Sequence, residues 1–121
     1  MFLTLNHQKL EVFVVTRQFV LECYKLSNIL PADERFGMVT QIRRAAVSVY
    51  LNIAEGASRK SETERKRFYE IARGSIIEIN GALDIANGLD YLKNFNSTKI
   101  GETIISSFKL LTRLIQSEAK H

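Results

Sequence analysis

Apolar residues recur along this chain at steps of three and four, the spacing of a single buried face on an α-helix. Val12, Val15, Phe19, Cys23 and Leu26 set the pattern first and predict a helix over about residues 8–28. Val39, Ile42, Ala46, Val49 and Ile53 repeat it and predict a second helix over about 32–56. Pro31 is tolerated in a first helical turn, and Asp33 and Glu34 suit the positive end of the helix dipole. Gly56 reads as the stop, because a glycine after the last periodic residue can turn left-handed without a side-chain penalty. Ser61 and Glu64 have capping-box spacing and open a third helix over about 61–91, with Phe68, Ala72, Ser75, Ile79, Ala82, Ala86 and Leu89 on its face. Gly74, inside that helix at about 1 kcal/mol relative to alanine, admits two readings: a neighbouring backbone comes close, or the glycine is merely tolerated. Asn94, Asn96 and Ser97 mark the last connection, and Ile100, Ile104, Phe108, Leu111 and Ile115 predict a fourth helix over about 97–118.

Four amphipathic segments with short connections predict an all-α fold in one domain spanning 1–121: an antiparallel up-down-up-down four-helix bundle. One proline and six glycines leave little material for the frequent turns of a sandwich or barrel. Apolar residues exceed what one core face per helix needs. Phe13, Val20 and Tyr24 on the first helix, with Val47, Tyr50 and Leu51 on the second, predict another buried surface, most simply a homo-oligomer interface. The competing reading is a monomer with an apolar surface.

Charge changes the picture next. Residues 35–73 hold nine cations against four carboxylates, while the rest of the chain is slightly negative. Such a local surplus points towards a polyanion without proving one. Arg43 and Arg44 are adjacent and point roughly 100° apart, so their roles differ. Arg43 falls beside Val47 and Tyr50 on the interface face, whereas Arg44 lies on a polar line with Gln41, Ser48, Asn52 and Glu55. Arg44 needs a carboxylate from another helix or subunit, or a phosphate. Glu62 with Lys66, Glu64 with Arg67, and Glu70 with Arg73 have the order of helix-surface pairs. Arg59, Lys60 and Arg65 are then left over at one end of the bundle. Repetition in a cyclic oligomer would make these cations a ring able to meet several phosphates. Phe68 belongs to the core face, which leaves Tyr69 as the one stacking candidate.

The run Gln41-Ile42-Arg43-Arg44-Ala45-Ala46-Val47-Ser48-Val49, then Asn52-Ile53-Ala54-Glu55-Gly56, then Arg59, Ser61, Arg67, Phe68, Ala72, Gly74 and Ser75, and finally Leu89-Asp90-Tyr91-Leu92, resembles the bacterial four-helix bundle proteins encoded in intervening sequences of 23S ribosomal RNA genes. The likeness covers nearly the whole chain. It implies an all-helical bundle assembling as a ring-shaped homopentamer, with a role in nucleic-acid binding; it implies no reaction. The accessory variability protein of diversity-generating retroelements, a related basic pentamer working with a reverse transcriptase, motivates the binding idea by analogy. One departure stands out: many members carry proline where this chain has Tyr50, which here can add an aromatic contact to a subunit interface.

The nucleic-acid candidates are therefore Arg44, Arg59, Lys60, Arg65, Lys66 and Arg67, and the interface candidates Phe13, Val20, Tyr24, Arg43, Val47, Tyr50 and Leu51. Catalysis finds little support. The histidines, His7 and His121, sit at opposite chain ends, no phosphate-binding glycine loop or nucleophile elbow occurs, and the one cysteine, Cys23, lies in an apolar helical stretch. Neither metal nor cofactor is expected. The first ten residues lack a signal peptide's pattern and no window is apolar enough to span a membrane, so a cytoplasmic protein is expected. Two functions remain: a homo-oligomeric protein binding RNA or DNA phosphates, and a structural or protein-interaction module whose basic end docks an acidic protein.

Overall fold

The computed structural model describes residues 2, 3, 5 and 10–119, the side chain of residue 119 aside. Among these residues there are four α-helices and one short 3-10 turn, with no strand: α1 Glu11–Asn28, the turn Ala32–Glu34, α2 Met38–Ala57, α3 Glu62–Gly88 and α4 Thr98–Ala119. The predicted start of the first helix at residues 8 and 9 lies outside the described residues.

Helix α2 starts later than its periodicity suggested. Pro31 is extended, at φ −60° and ψ 152°, and Ala32–Glu34 form the separate turn. Glu34 does not sit in the first turn of α2; its Oε1 accepts the Met38 amide at 3.3 Å, and its Oε2 accepts the Tyr91 hydroxyl at 3.1 Å. One carboxylate thus caps α2 and ties it to the segment after α3. The hydrogen bond to Glu34 pushes the Tyr91 phenol above its ordinary pKa.

Gly56 does not end α2 by turning left-handed; no described glycine has a positive φ. It lies inside the helix, buried, where a Cβ would meet Tyr69 Cε1 at 2.8 Å and Phe68 Cβ at 3.0 Å. Its role is close approach to α3. A Cβ on Gly74 would meet nothing within 4 Å, so of its two readings the tolerated glycine holds. The left-handed closure occurs instead at Asp90, φ 63°, after α3. There the Asp90 and Tyr91 amides donate to Asn87 O and Ala86 O, each at 3.0 Å, the paired bonds of a Schellman motif. At the other end of α3, Ser61 Oγ accepts the Glu64 amide at 3.3 Å, the hydroxyl half of the capping box.

Helix α1 packs on α2 and α4, and α3 packs on the same two helices, while the diagonal pairs barely touch. The order around the bundle is therefore α1, α2, α3, α4, with the α1/α2 seam opposite the α3/α4 seam. Phe19, Cys23, Leu26, Ile42, Ala46, Val49, Ile53, Ala72, Ile79 and Leu111 fill the middle. Helix phase departs from expectation in three helices. In α1, Thr16 takes the core place of Val15 and returns its hydroxyl to Val12 O at 2.6 Å. In α3, Tyr69 and Ile76 are buried, while Phe68 is half-buried and Leu89 exposed. In α4, Thr103 and Ser107 face the core, while Ile104 is half-buried and Phe108 is 38% exposed.

Candidate interaction surfaces

The connection from Ser58 to Ser61 brings the end of α2 and the start of α3 together, and with them most of the predicted cations. Arg65 is not a surplus charge there. Its Nε lies 3.0 Å from Glu118 Oε1 on the last part of α4, and its Nη1 donates to Arg59 O at 3.1 Å and Lys60 O at 2.7 Å. The hydrogen bond to Glu118 is the chief reason its guanidinium is held still more firmly protonated than usual. Arg65 staples the connection to both neighbouring helices. Local spacing could not reveal this pair, because Glu118 is 53 residues away.

The remaining pairs also differ from the local expectation. Lys66 reaches Glu70 at 3.9 Å rather than Glu62, and Arg59 lies 3.5 Å from Glu55. Arg73 donates to Thr112 Oγ1 at 3.3 Å and sits 5.9 Å from the Phe108 ring. Arg59 and Arg67 both stack near Phe68, at 5.1 and 5.5 Å from its centroid. The accessible ring here is Phe68, and the predicted stacking residue Tyr69 is 4% exposed. Lys60 is exposed and has no ion-pair partner among the described residues. What this end offers is Lys60 and Arg67 without carboxylates among those residues, beside Arg59 and Lys66 in solvent-screened pairs that give little to stability and are readily exchanged.

A second surface runs along the α1/α2 seam. Two grooves, of about 640 and 300 Å³, share Val47 and Leu51. Tyr24, Thr40, Arg43, Arg44, Ser48 and Asn52 complete the first; Arg17, Val20, Leu21 and Tyr50 complete the second. Among the described residues, no Asp or Glu lines either. Arg43 Nε donates to Ser27 Oγ at 2.8 Å and its Nη2 to Asn28 Oδ1 at 2.7 Å, with the guanidinium 5.1 Å over the Tyr24 ring. These partners are neutral, so the charge stays uncompensated. Arg44 is exposed, with no ion-pair partner among the described residues.

The chain belongs to a known family by sequence: the family model of the 23S rRNA-intervening sequence protein matches residues 8–113. This is a member of that family. No curated protein matches the chain. The matched stretch of this 23S rRNA-intervening sequence protein includes both surfaces and leaves out Glu118, the partner of Arg65.

Within the family member, the predicted interface residues Val20, Tyr24, Arg43, Val47, Tyr50 and Leu51 all meet along the α1/α2 seam. Phe13 does not. It is 2% exposed and packs edge-to-face on Tyr50, with centroids 5.7 Å apart and planes at 83°. Arg44 is separated from the other nucleic-acid candidates: it opens into the same groove as Arg43, about 20 Å along α2 from the helix end. The polar line drawn through it divides in two. Asn52 donates to Ser48 O and Oγ at 2.9 and 3.0 Å, and Ser75 donates to Ser48 Oγ at 2.9 Å, whereas Glu55 turns to Ser58 and Arg59. Arg17 and Leu21 were not among the sequence candidates. Their signal was the spacing of Arg17, Leu21 and Tyr24, one line on α1 parallel to its core face.

Burial, with Glu22 adding to it, pushes the Cys23 thiol up to about 12, which makes it a packing residue rather than a nucleophile. Among the described residues no group of three or more His, Cys, Asp or Glu could hold a metal ion, and no helix is long and apolar enough to cross a membrane. His7 and His121 lie outside the described residues.

Proposed function

We propose that this 23S rRNA-intervening sequence protein is a non-catalytic, cytoplasmic homo-oligomer that binds nucleic acid through the phosphate backbone. The observation that carries the reading is the α2/α3 end, where Lys60 and Arg67 have no carboxylate partner among the described residues and the guanidiniums of Arg59 and Arg67 both lie near the Phe68 ring. Contacts of this kind position a polyanion without reading bases. One protomer offers few such cations, so assembly is part of the mechanism: each copy repeats the cluster, and every phosphate neutralised releases counterions. A ring-shaped homopentamer of antiparallel up-down-up-down bundles is the assembly the family resemblance implies. Arg43 beside Ser27, Phe13 beside Tyr50, Ser48 beside Ser75 and Arg65 beside Glu118 are contacts that support the antiparallel order.

Fluorescence anisotropy with labelled RNA and DNA at two salt concentrations tests this. Submicromolar binding is expected, weakening as salt rises and as Lys60→Ala and Arg67→Ala are combined. Absence of binding at low salt overturns it. The second reading is a protein-interaction module whose basic end docks an acidic protein. It gains support from the interleaved Glu55, Glu62, Glu64 and Glu70, which can pair with the basic residues a protein carries among its acidic ones and a nucleic acid lacks.

A further inference from the structure

The α2/α3 end holds one cation that is already in place and already neutralised. Arg65 Nη1 donates to Arg59 O and Lys60 O at 3.1 and 2.7 Å, so its guanidinium is built into the connection that carries Lys60. Its charge is met by Glu118, whose Oε1 lies 3.0 Å from Nε. The two side chains are 23% and 13% exposed, so water screens this pair far less than it screens Arg59 with Glu55 or Lys66 with Glu70.

Glu118 differs from the other carboxylates of this end. Glu55, Glu62, Glu64 and Glu70 stand on α2 and α3, the helices that carry the cations, whereas Glu118 reaches in from the last turn of α4. Its Oε2 is buried with no hydrogen-bond partner among the described residues, and a carboxylate oxygen taken out of water without a donor opposes the contact that buries it. Gln116 and Ser117, between Ile115 and Glu118, are exposed, so the last turn of α4 is tied to the bundle through Glu118 and can let go without unpacking the core. On the other side of the pair, Arg65 Nη2 makes no hydrogen bond among the described residues and is left for a further acceptor. A phosphate has several acceptor oxygens and fits the guanidinium fork better than a carboxylate that touches it at one nitrogen.

We infer that Glu118 is an internal competitor of the nucleic acid: its carboxylate occupies the guanidinium of Arg65, and a phosphate that displaces it gains Arg65 as a further contact while the last turn of α4 is released. The inference rests on the phosphate-binding reading of the α2/α3 end and states how that site is held back. Linkage makes it reciprocal. If phosphate releases Glu118, removing the Glu118 charge must favour phosphate, and must do so through Arg65.

The test is a double-mutant cycle read in binding rather than in stability. Wild type, Glu118→Gln, Arg65→Ala and the double variant are titrated into labelled single-stranded RNA and labelled duplex DNA over a series of salt concentrations, once circular dichroism shows each to be folded. Arg65→Gln, which keeps a donor for the Arg59 and Lys60 carbonyls, replaces Arg65→Ala if that variant does not fold. Glu118→Gln should bind about tenfold more tightly than wild type, the effect of one charge-assisted hydrogen bond. On duplex DNA the slope of log K against log salt should steepen by about 0.9 for each phosphate contact added. With Arg65 replaced, Glu118→Gln should change neither. Wild type gives a readout that needs no variant: saturation with the RNA should speed hydrogen exchange in the last turn of α4. If wild type binds and Glu118→Gln binds no more tightly, or its gain persists without Arg65, Glu118 acts only as a nearby negative charge, and the inference falls while the phosphate reading stands. If the last turn of α4 keeps its protection in the complex, the carboxylate is not displaced and the inference again falls. If neither wild type nor Glu118→Gln binds at low salt, the phosphate reading falls and takes the inference with it.

Discussion

Two helical glycines, one buried and one exposed, give the sharpest check on how α2 meets α3. Gly56→Ala places a methyl group where Tyr69 Cε1 is 2.8 Å and Phe68 Cβ 3.0 Å away. Tyr69 is 4% exposed, so its ring cannot move aside without disturbing the core. Overpacking of this kind costs about 1–3 kcal/mol. Alanine recovers about 1 kcal/mol of helix propensity over glycine, so the net destabilisation is about 0–2 kcal/mol. Gly74→Ala meets nothing within 4 Å and keeps the whole propensity gain, about 1 kcal/mol of added stability. The propensity term is common to both and cancels in their difference, which isolates the close approach at about 1–3 kcal/mol. Urea unfolding followed by circular dichroism, with all proteins at one concentration because assembly contributes to stability, measures that difference. If Gly56→Ala proves as stable as Gly74→Ala, the two helices do not approach as described.

Burial of Cys23 fixes a pH dependence. With a thiol near 9.0 in the unfolded chain and about 12 in the folded one, its contribution is complete below pH 9 and is lost as pH rises towards 12, at up to about 1.4 kcal/mol per pH unit. Tyr69 and Tyr91, also raised, add in the same direction, so the check is a shallower alkaline slope in Cys23→Ala than in wild type. At neutral pH, Cys23 should react with thiol reagents only as fast as the chain opens, and rapid labelling of the folded protein would refute its burial. Asp90→Gly relieves a left-handed residue and should add about 0.5–1 kcal/mol by urea unfolding, part of the relief being offset by glycine's freedom in the unfolded chain. Arg65→Ala should lower the melting temperature clearly more than Lys66→Ala, with Glu118→Gln almost as harmful and the double variant clearly less harmful than the sum of the two. Equal effects at residues 65 and 66 would deny the staple.

The period of each helix could be read from the residues alone. Steps of three and four establish that four segments are helices with one apolar face, and they place Ile42, Ala46, Val49 and Ile53 in the core of α2. The capping pattern at Ser61 also needed no tertiary information, because its hydrogen bond closes over three residues. What the period leaves open is the phase. In α3 the lines through Phe68 and through Tyr69 share Ala72, Ile79 and Ala86, and only the neighbouring helices choose between them; the choice of Tyr69 freed Phe68 to lie under two guanidiniums. In α4 the same freedom put Ser107 inside and Phe108 outside, which turned an expected core residue into part of an uncovered face. Charges follow the same division. Spacing names candidate partners within a helix, but ion pairing is decided by distance in space, so Glu118 reached Arg65 from 53 residues away and removed it from the surplus. Arg44, grouped by its charge with the nucleic-acid candidates, belongs to the α1/α2 seam because α2 carries it about 20 Å from the basic end. Local chemistry thus determined which segments are helical and which faces are greasy; packing of one helix against the next determined which side chains those faces finally show.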